Sequence, residues 1–147
     1  MKALFVILNL LVLNTKTFSQ DVNKLFYQYH EIKNALIDAD SKQVAELTSS
    51  LQQWIKNDVA YNQKTDLQKS VEKLVKVNGI EKQRESFNDF SIIIWNIVKV
   101  STNIHQPVYY QYCSMKKAYW LSNEKEIKNP YYGASMLNCG KVVEVKQ

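Results

Sequence analysis

The stretch IEKQRESFNDFSIIIWNIVKVST, residues 80–102, decides the fold class because it carries the broadest apolar stripe in the chain. Its apolar residues recur at steps of three and four, which is the period of an α-helix. A stripe of this width is typical of a helix that packs against several neighbours. The stripe consists of Phe87, Phe90, Ile93, Ile94, Ile97 and Val98. The pattern predicts a long helix over residues 80–102 and a mainly helical fold around it.

Three further helices are predicted upstream of this stretch. The same apolar period predicts the first over residues 21–39. A second helix begins after a cap at Asp40 or Ser41, whose side-chain oxygen can accept a backbone N–H. A third begins at Thr65 or Asp66. Short connections force neighbouring helices to run in opposite directions, so the sequence predicts an antiparallel four-helix bundle.

The pattern changes after Pro107. Three short segments, residues 108–112, 118–121 and 141–146, are rich in aromatic or β-branched residues and partly alternate, which is typical of strands. Asn129-Pro130 and Gly133 supply turns between them. The sequence therefore predicts an irregular C-terminal cap with a few short strands, over about residues 106–147.

The N-terminus has the composition of a secretory signal peptide. Residues 1–19, MKALFVILNLLVLNTKTFS, place a lysine before an apolar run and small residues after it. We predict cleavage after Ser19, a periplasmic or secreted protein without stable membrane insertion, and one domain over residues 20–147. Cleavage removes two lysines from a chain of net charge +5. The remaining charge is mild and scattered, which argues against nucleic-acid binding.

The sequence contains no recognisable enzyme motif. Its only histidines are His30 and His105, its three glycines cannot form a phosphate-binding loop, and no HExxH or CxxC pattern occurs. His30 lies beside the apolar stripe of the first helix, which indicates a half-buried structural histidine. Because a nucleophile, a base and an orienting group are not found together, we expect no enzymatic activity.

Four sulfur-containing side chains are concentrated in the C-terminal segment: Cys113, Met115, Met136 and Cys139. Each pair is short enough for both side chains to reach one site, and the turns between the pairs can bring them together. Thiolate and thioether sulfurs are soft donors that select copper(I) over calcium or magnesium. The pattern predicts a copper site at these residues, with His105 on the preceding loop as a further candidate ligand.

The two cysteines have an equally simple alternative. Exported proteins fold in an oxidising compartment, where two cysteines commonly form a disulfide. A Cys113–Cys139 bridge would staple the cap and contribute on the order of 3 kcal/mol by restricting the unfolded chain. Met115 and Met136 would then be apolar packing residues. Both interpretations stay open, and they can alternate because oxidised cysteines do not bind metal.

The tail YYQYCSMKKAYWLSNEKEIKNPYYGASMLNCGKVV, residues 109–143, resembles the end of domain-of-unknown-function family 3347, and IEKQRESFNDFS, residues 80–91, resembles its preceding helix. The resemblance implies an exported bacterial domain associated with heavy-metal efflux adaptor proteins. Cys113 and Met115 match the Cys-Pro-Met element of the family, and Met136 and Cys139 match its Met-x-x-Cys-Gly element. Ser114 departs from the usual proline, which loosens the backbone between the first two sulfurs.

Two functions follow from these observations. In the first, the protein is a periplasmic soft-metal binder, for copper in particular, accessory to heavy-metal efflux or tolerance, with an efflux adaptor or another periplasmic protein as its partner. In the second, a disulfide-stapled cap with a tyrosine- and tryptophan-rich surface docks a protein and binds no metal. The first requires free thiols and the second does not.

Overall fold

The computed structural model describes residues 17–58 and 64–147, with side chains described for 22–57 and 64–147. In chain order the elements are α1 (Thr17–Ile37), α2 (Ser41–Asp58), α3 (Lys64–Lys76), α4 (Ile80–Val98), β1 (Val108–Cys113), β2 (Ala118–Ser122), a short 3-10 helix (Gly133–Ser135) and β3 (Lys141–Lys146). The predicted mainly helical class is confirmed, with a small three-stranded antiparallel sheet at the C-terminus. Most of the predicted signal peptide lies outside the described residues.

The helix boundaries follow local chemistry. Asp40 caps α2, because its Oδ1 accepts the backbone N–H of Gln43 at 2.9 Å. The prediction that the fourth helix extends to residue 102 is wrong, since α4 ends at Val98 and a turn follows in which the Ser101 N–H donates to the carbonyl of Val98. Residues 100–102 are β-branched or hydroxylated and have low helix propensity, which favours this earlier end.

One continuous core joins the helices to the sheet. Helix α1 contacts α2 and α4, α3 contacts the same two helices, and β2 lies on α4. The buried Tyr29 of α1 ties these layers together, because its hydroxyl is 2.8 Å from Ser91 Oγ and accepts the Leu121 N–H at 2.9 Å. None of the described helices is long and apolar enough to cross a membrane.

The cap is more regular than predicted. Its strands have the order β2-β1-β3, so β1 is central and both of its neighbours run antiparallel to it. The β1–β3 register shifts between Tyr110 and Gln111. The part between β2 and β3 contains no further strand, and it is held by side chains such as Gln111, whose Nε2 reaches three consecutive carbonyls at 124–126.

Arg84 attaches this irregular part to the helices. Its buried guanidinium donates from Nη2 to the Leu36 carbonyl and from Nε to the Pro130 carbonyl, both at 2.9 Å, while Nη1 meets Glu81 at 3.0 Å. The Leu36 carbonyl belongs to the last turn of α1, where helix carbonyls lack partners within the helix. One side chain therefore connects α1, α4 and the turn after β2.

Candidate functional site

The two cysteines come together because β1 pairs with both other strands. Cys113 is the last residue of β1 and pairs with Ala118 across the β1–β2 turn. On the other side, Tyr112 pairs with Lys141 at the start of β3. Cys139 stands two residues before that start, so the antiparallel register brings it to the same end of the sheet as Cys113.

Three of the four predicted sulfurs form a chain of contacts. The Cys113 and Cys139 Sγ atoms are 3.9 Å apart, and the Cys139 Sγ is 3.8 Å from the Met115 sulfur. Both cysteines are free thiols in the structure. Cys113 is 0% exposed, whereas Met115 lies on the hairpin turn and is 60% exposed. The cluster therefore has a buried end at Cys113 and an open end at Met115.

The remaining predicted ligands stand apart from these contacts. Met136 shares a turn with Cys139, whose N–H donates to the Met136 carbonyl at 3.1 Å, but its side chain is 37% exposed and outside the chain of sulfur contacts. His105 precedes the opposite end of β1. Five strand steps of about 3.3 Å separate that end from Cys113, a span of roughly 16 Å. The structure does not bring His105 to the sulfurs.

The two thiols differ in acidity. Burial acts to raise the pKa of Cys113, but hydrogen bonds from the Lys116 backbone, the Asn129 side chain and the Met115 backbone outweigh it, and the pKa lies below its ordinary value. The pKa of Cys139 is raised, by desolvation first and then by its hydrogen bond to Cys113 and the charge there. Cys113 is therefore the thiol of this pair that loses its proton first.

Asn129 positions this pair, a role that turn chemistry alone did not reveal. Its Nδ2 donates to the Cys139 carbonyl at 2.6 Å, and its Oδ1 accepts the Tyr131 N–H at 2.8 Å. Its own backbone N–H donates to the Leu137 carbonyl at 2.7 Å. Its place before a proline indicates a turn, but it does not say what the side chain holds.

Gly140 is required for close packing next to Cys139. A Cβ at this position would lie 2.6 Å from Trp120 Cη2 and 3.1 Å from the Tyr112 carbonyl oxygen. The absence of a side chain lets the backbone pass directly over the buried indole of Trp120. The Cys-Gly pair therefore sets how deeply Cys139 sits against the sheet.

The surroundings limit which ions the cluster suits. Within residues 17–58 and 64–147, no group of three or more histidine, cysteine, aspartate or glutamate side chains is placed to hold a metal ion. An ion at the cysteines would depend on thioether sulfur as its third donor, which is a preference of copper(I).

His30 lies in a different environment from the sulfur cluster. It lies on α1 with its ring edge against Phe26, 4.5 Å between centroids, and its Nε2 is buried without a hydrogen-bond partner among the described residues. Burial first, and then the charge of Lys33, lowers its pKa to about 3, which Glu124 only partly opposes. The imidazole is therefore neutral at physiological pH.

Acidification is expected to destabilise the protein through His30. Its pKa is about 3 in the folded chain and 6.5 as a free group, so the unfolded chain binds more protons between these values. The free energy of unfolding therefore falls as the pH decreases through this window, by at most about 1.4 kcal/mol per pH unit from this residue. Urea denaturation of the wild type and of His30→Gln, at about pH 7 and about pH 5, measures the difference. Equal losses in the two proteins would contradict the assignment.

Comparison with known sequences places the helical part in a family. Residues 25–106 match the family described as Protein of unknown function (DUF3347), a match over more than half of the chain. The matched residues run from within α1 to the loop before β1, so the sulfur cluster lies beyond them. No curated protein and no solved structure matches the chain. The match covers residues 80–91, on which the resemblance partly rested, but not the tail 109–143, and it confirms the family: the chain belongs to the DUF3347 family.

Proposed function

We propose that the protein binds a soft metal ion, copper(I) in particular, through Cys113, Cys139 and Met115. The observation that carries the proposal is the chain of sulfur contacts at 3.9 and 3.8 Å. Two sulfurs that bond one ion at about 2.3 Å each can be no more than about 4.6 Å apart. Both spacings satisfy this limit, so Cys139 can share an ion with Cys113 or with Met115 after little rearrangement.

The acidity of Cys113 supports the same proposal. Metal ions bind the thiolate, so a cysteine that loses its proton readily binds metal at lower pH. Cys113 supplies the first thiolate, and the approach of a cation favours loss of the Cys139 proton as well. The exposed Met115 thioether completes the set on the open side, where an incoming ion or an exchanging partner has access.

The biological setting is part of this proposal and rests on the sequence. A signal peptide over residues 1–19 implies a periplasmic or secreted protein, and the family resemblance implies an efflux adaptor as partner. Transfer to such a partner would proceed by exchange of one sulfur ligand at a time. We propose a carrier rather than an enzyme, without a role for nucleic acid.

The helices are proposed to form an antiparallel bundle that supports the cap, which fits the contacts of α1 and α3 with both α2 and α4.

The second candidate is the disulfide-stapled interaction module. It is favoured by the direct contact between the two Sγ atoms. Oxidation needs them to approach to about 2.05 Å, a movement of roughly 2 Å. In that state the two cysteines would hold the start of β3 against the end of β1 and would not bind metal.

Replacement of either cysteine is expected to weaken copper(I) binding by more than about a hundredfold. Loss of a group that only hydrogen-bonds to a metal ligand already lowers metal affinity about 10–100-fold, and loss of the ligand itself costs more. The experiment is an anaerobic titration of reduced protein against a competing chelator, with Cys113→Ser, Cys139→Ser and Met115→Leu. A smaller loss, about tenfold, is expected for Met115→Leu. Met136→Leu tests whether the fourth sulfur joins, and we expect it to bind like the wild type.

A thiol count on freshly exported protein accompanies the titration. Two free thiols together with one bound ion support the metal-binding proposal. Unchanged affinity in both serine variants would show that the ligand set is wrong. A locked disulfide in the exported protein, with no copper bound, would favour the interaction module.

A further inference from the structure

A cavity lies at the opposite end of the sheet from the sulfurs. Its volume is about 640 Å³, and it is lined by the outer side of α1, by Gln106 before β1 and by residues of the 123–128 segment after β2. Small-molecule sites in proteins have volumes of about 300–1,000 Å³. The cavity is therefore large enough for a small ligand, and nothing in the sequence motifs had pointed to it.

Lys33 is a largely buried cation in the wall of this cavity. The residue is only 4% exposed, yet its side chain lines the cavity. Its ammonium makes no hydrogen bond or ion pair within the part of the chain that the structure describes. The acid whose charge acts on it most, Glu124, is held by Lys128 at 2.7 Å. A buried cation without a partner is energetically costly, so a bound anion would relieve that cost.

The acidity of Lys33 agrees with this geometry. Burial lowers its pKa to about 8, Glu124 raises it and Lys128 lowers it further. At neutral pH most of the protein molecules therefore carry a charged Lys33, although burial of this charge is unfavourable. Beside it, the buried Nε2 of His30 also has no partner among the described residues. This side of the cavity thus carries an ammonium without an ion-pair partner and one buried ring nitrogen without a hydrogen-bond partner among the described residues.

The charges around the cavity restrict the kind of anion. Two cations, Lys33 and Lys128, face three acids, Glu31, Asp38 and Glu124. This surplus of negative charge repels every anion, but it repels a multiply charged anion such as phosphate more strongly than a single carboxylate, which needs only one ammonium as its partner. The amides of Asn34, Asn123 and Gln106 can then hydrogen-bond the uncharged part of a ligand, and Phe26 and Ile37 supply apolar contact.

We propose that this cavity binds a small organic monocarboxylate, whose carboxylate pairs with the Lys33 ammonium. The site is independent of the sulfur cluster, because Gln106 and Asn123 lie at the far ends of β1 and β2 from Cys113. The protein would then combine a metal-binding end with a ligand-binding end on the same small sheet.

Acetate is the probe for the carboxylate group. We expect a saturable shift of the Lys33 side-chain resonances in an NMR titration of the full protein, and of the amide resonances of Asn34. Lys33→Met removes the charge and keeps the length of the side chain, and we expect it to bind acetate about tenfold more weakly or worse. The matched control is Lys69→Met, an exposed lysine on α3 outside the cavity, which should bind like the wild type.

If Lys33→Met does not fold, a pH titration of Lys33 in the wild type tests the proposal. Acetate bound to Lys33 must raise the pKa of that ammonium above about 8, with His30, Glu31, Asp38, Glu124 and Lys128 as the other groups that face it. A Lys33 titration unchanged by acetate would overturn the proposal. Equal acetate binding by folded Lys33→Met, or tighter binding of inorganic phosphate than of acetate, would overturn it as well.

Discussion

Arg84→Met is expected to lower the free energy of unfolding by about 2 kcal/mol, because two buried carbonyls lose a charged donor and only that of Leu36 keeps another, the Ala39 N–H at 3.3 Å. Those carbonyls belong to Leu36 and Pro130, and each receives a hydrogen bond of 2.9 Å from the guanidinium. Methionine fills much of the space but donates nothing. Lysine cannot replace the arginine either, since one ammonium does not reproduce the planar fork that reaches three directions.

The measurement is urea denaturation of Arg84→Met beside Lys82→Met, which changes an exposed cation on the same helix. The control should stay within about 0.5 kcal/mol of the wild type. Losses of the same size in the two variants would show that the Arg84 hydrogen bonds contribute little to holding the cap on the helices.

Gly133→Ala is expected to cost more than about 2 kcal/mol, for two separate reasons. The residue has a φ of 54°, and a side chain in this left-handed region costs about 1–2 kcal/mol. In addition, the new Cβ would lie 2.5 Å from the Ile37 carbonyl oxygen and 2.7 Å from Arg84 Nη2. The first of these neighbours is backbone, which cannot move aside without disturbing the end of α1.

Gly79 has a positive φ without a steric neighbour. Its φ is 88° and its ψ is 145°, a region that is nearly restricted to glycine, and a Cβ there would meet nothing within 4 Å. Gly79→Ala therefore reports a conformational cost without a clash, in thermal or urea unfolding. We also expect Arg84→Met and Gly133→Ala to be less than additive when combined, because removal of the guanidinium relieves part of the clash. Full additivity of these two changes would contradict this account.

The helices and strands were predictable because each depends on a local pattern. The stripe around Phe90 predicted α4, and alternating β-branched residues predicted β3 with the bounds that the structure gives. The end of α4 was misplaced, since the apolar period continues weakly through Val100 although the helix does not. Val100 is exposed in the structure, so it gains nothing from packing that would offset its low helix propensity.

The candidate site was predictable only in part. The spacing of the sulfurs suggested that Cys113 and Cys139 could meet, and the pairing of β1 with β3 brings them into contact. The roles of Arg84, Asn129 and Lys33 could not be predicted, because each depends on groups that other parts of the chain bring near. A lysine on an amphipathic helix is usually solvated, and only the tertiary fold buries Lys33 under the loop after β2.

The position of β3 at the edge of the sheet would couple the proposed metal binding to the order of the C-terminus. Cys113 belongs to the central strand, whereas Cys139 is carried by a segment whose place depends on the pairing of β3 with β1. An ion that bonds both thiolates would close a loop between them. By thermodynamic linkage, the free energy by which the bound ion stabilises the β1–β3 pairing equals the free energy by which that pairing strengthens ion binding. Protection of the β3 amides from hydrogen exchange would therefore rise with metal occupancy. A partner that separates β3 from β1 would therefore also release the ion.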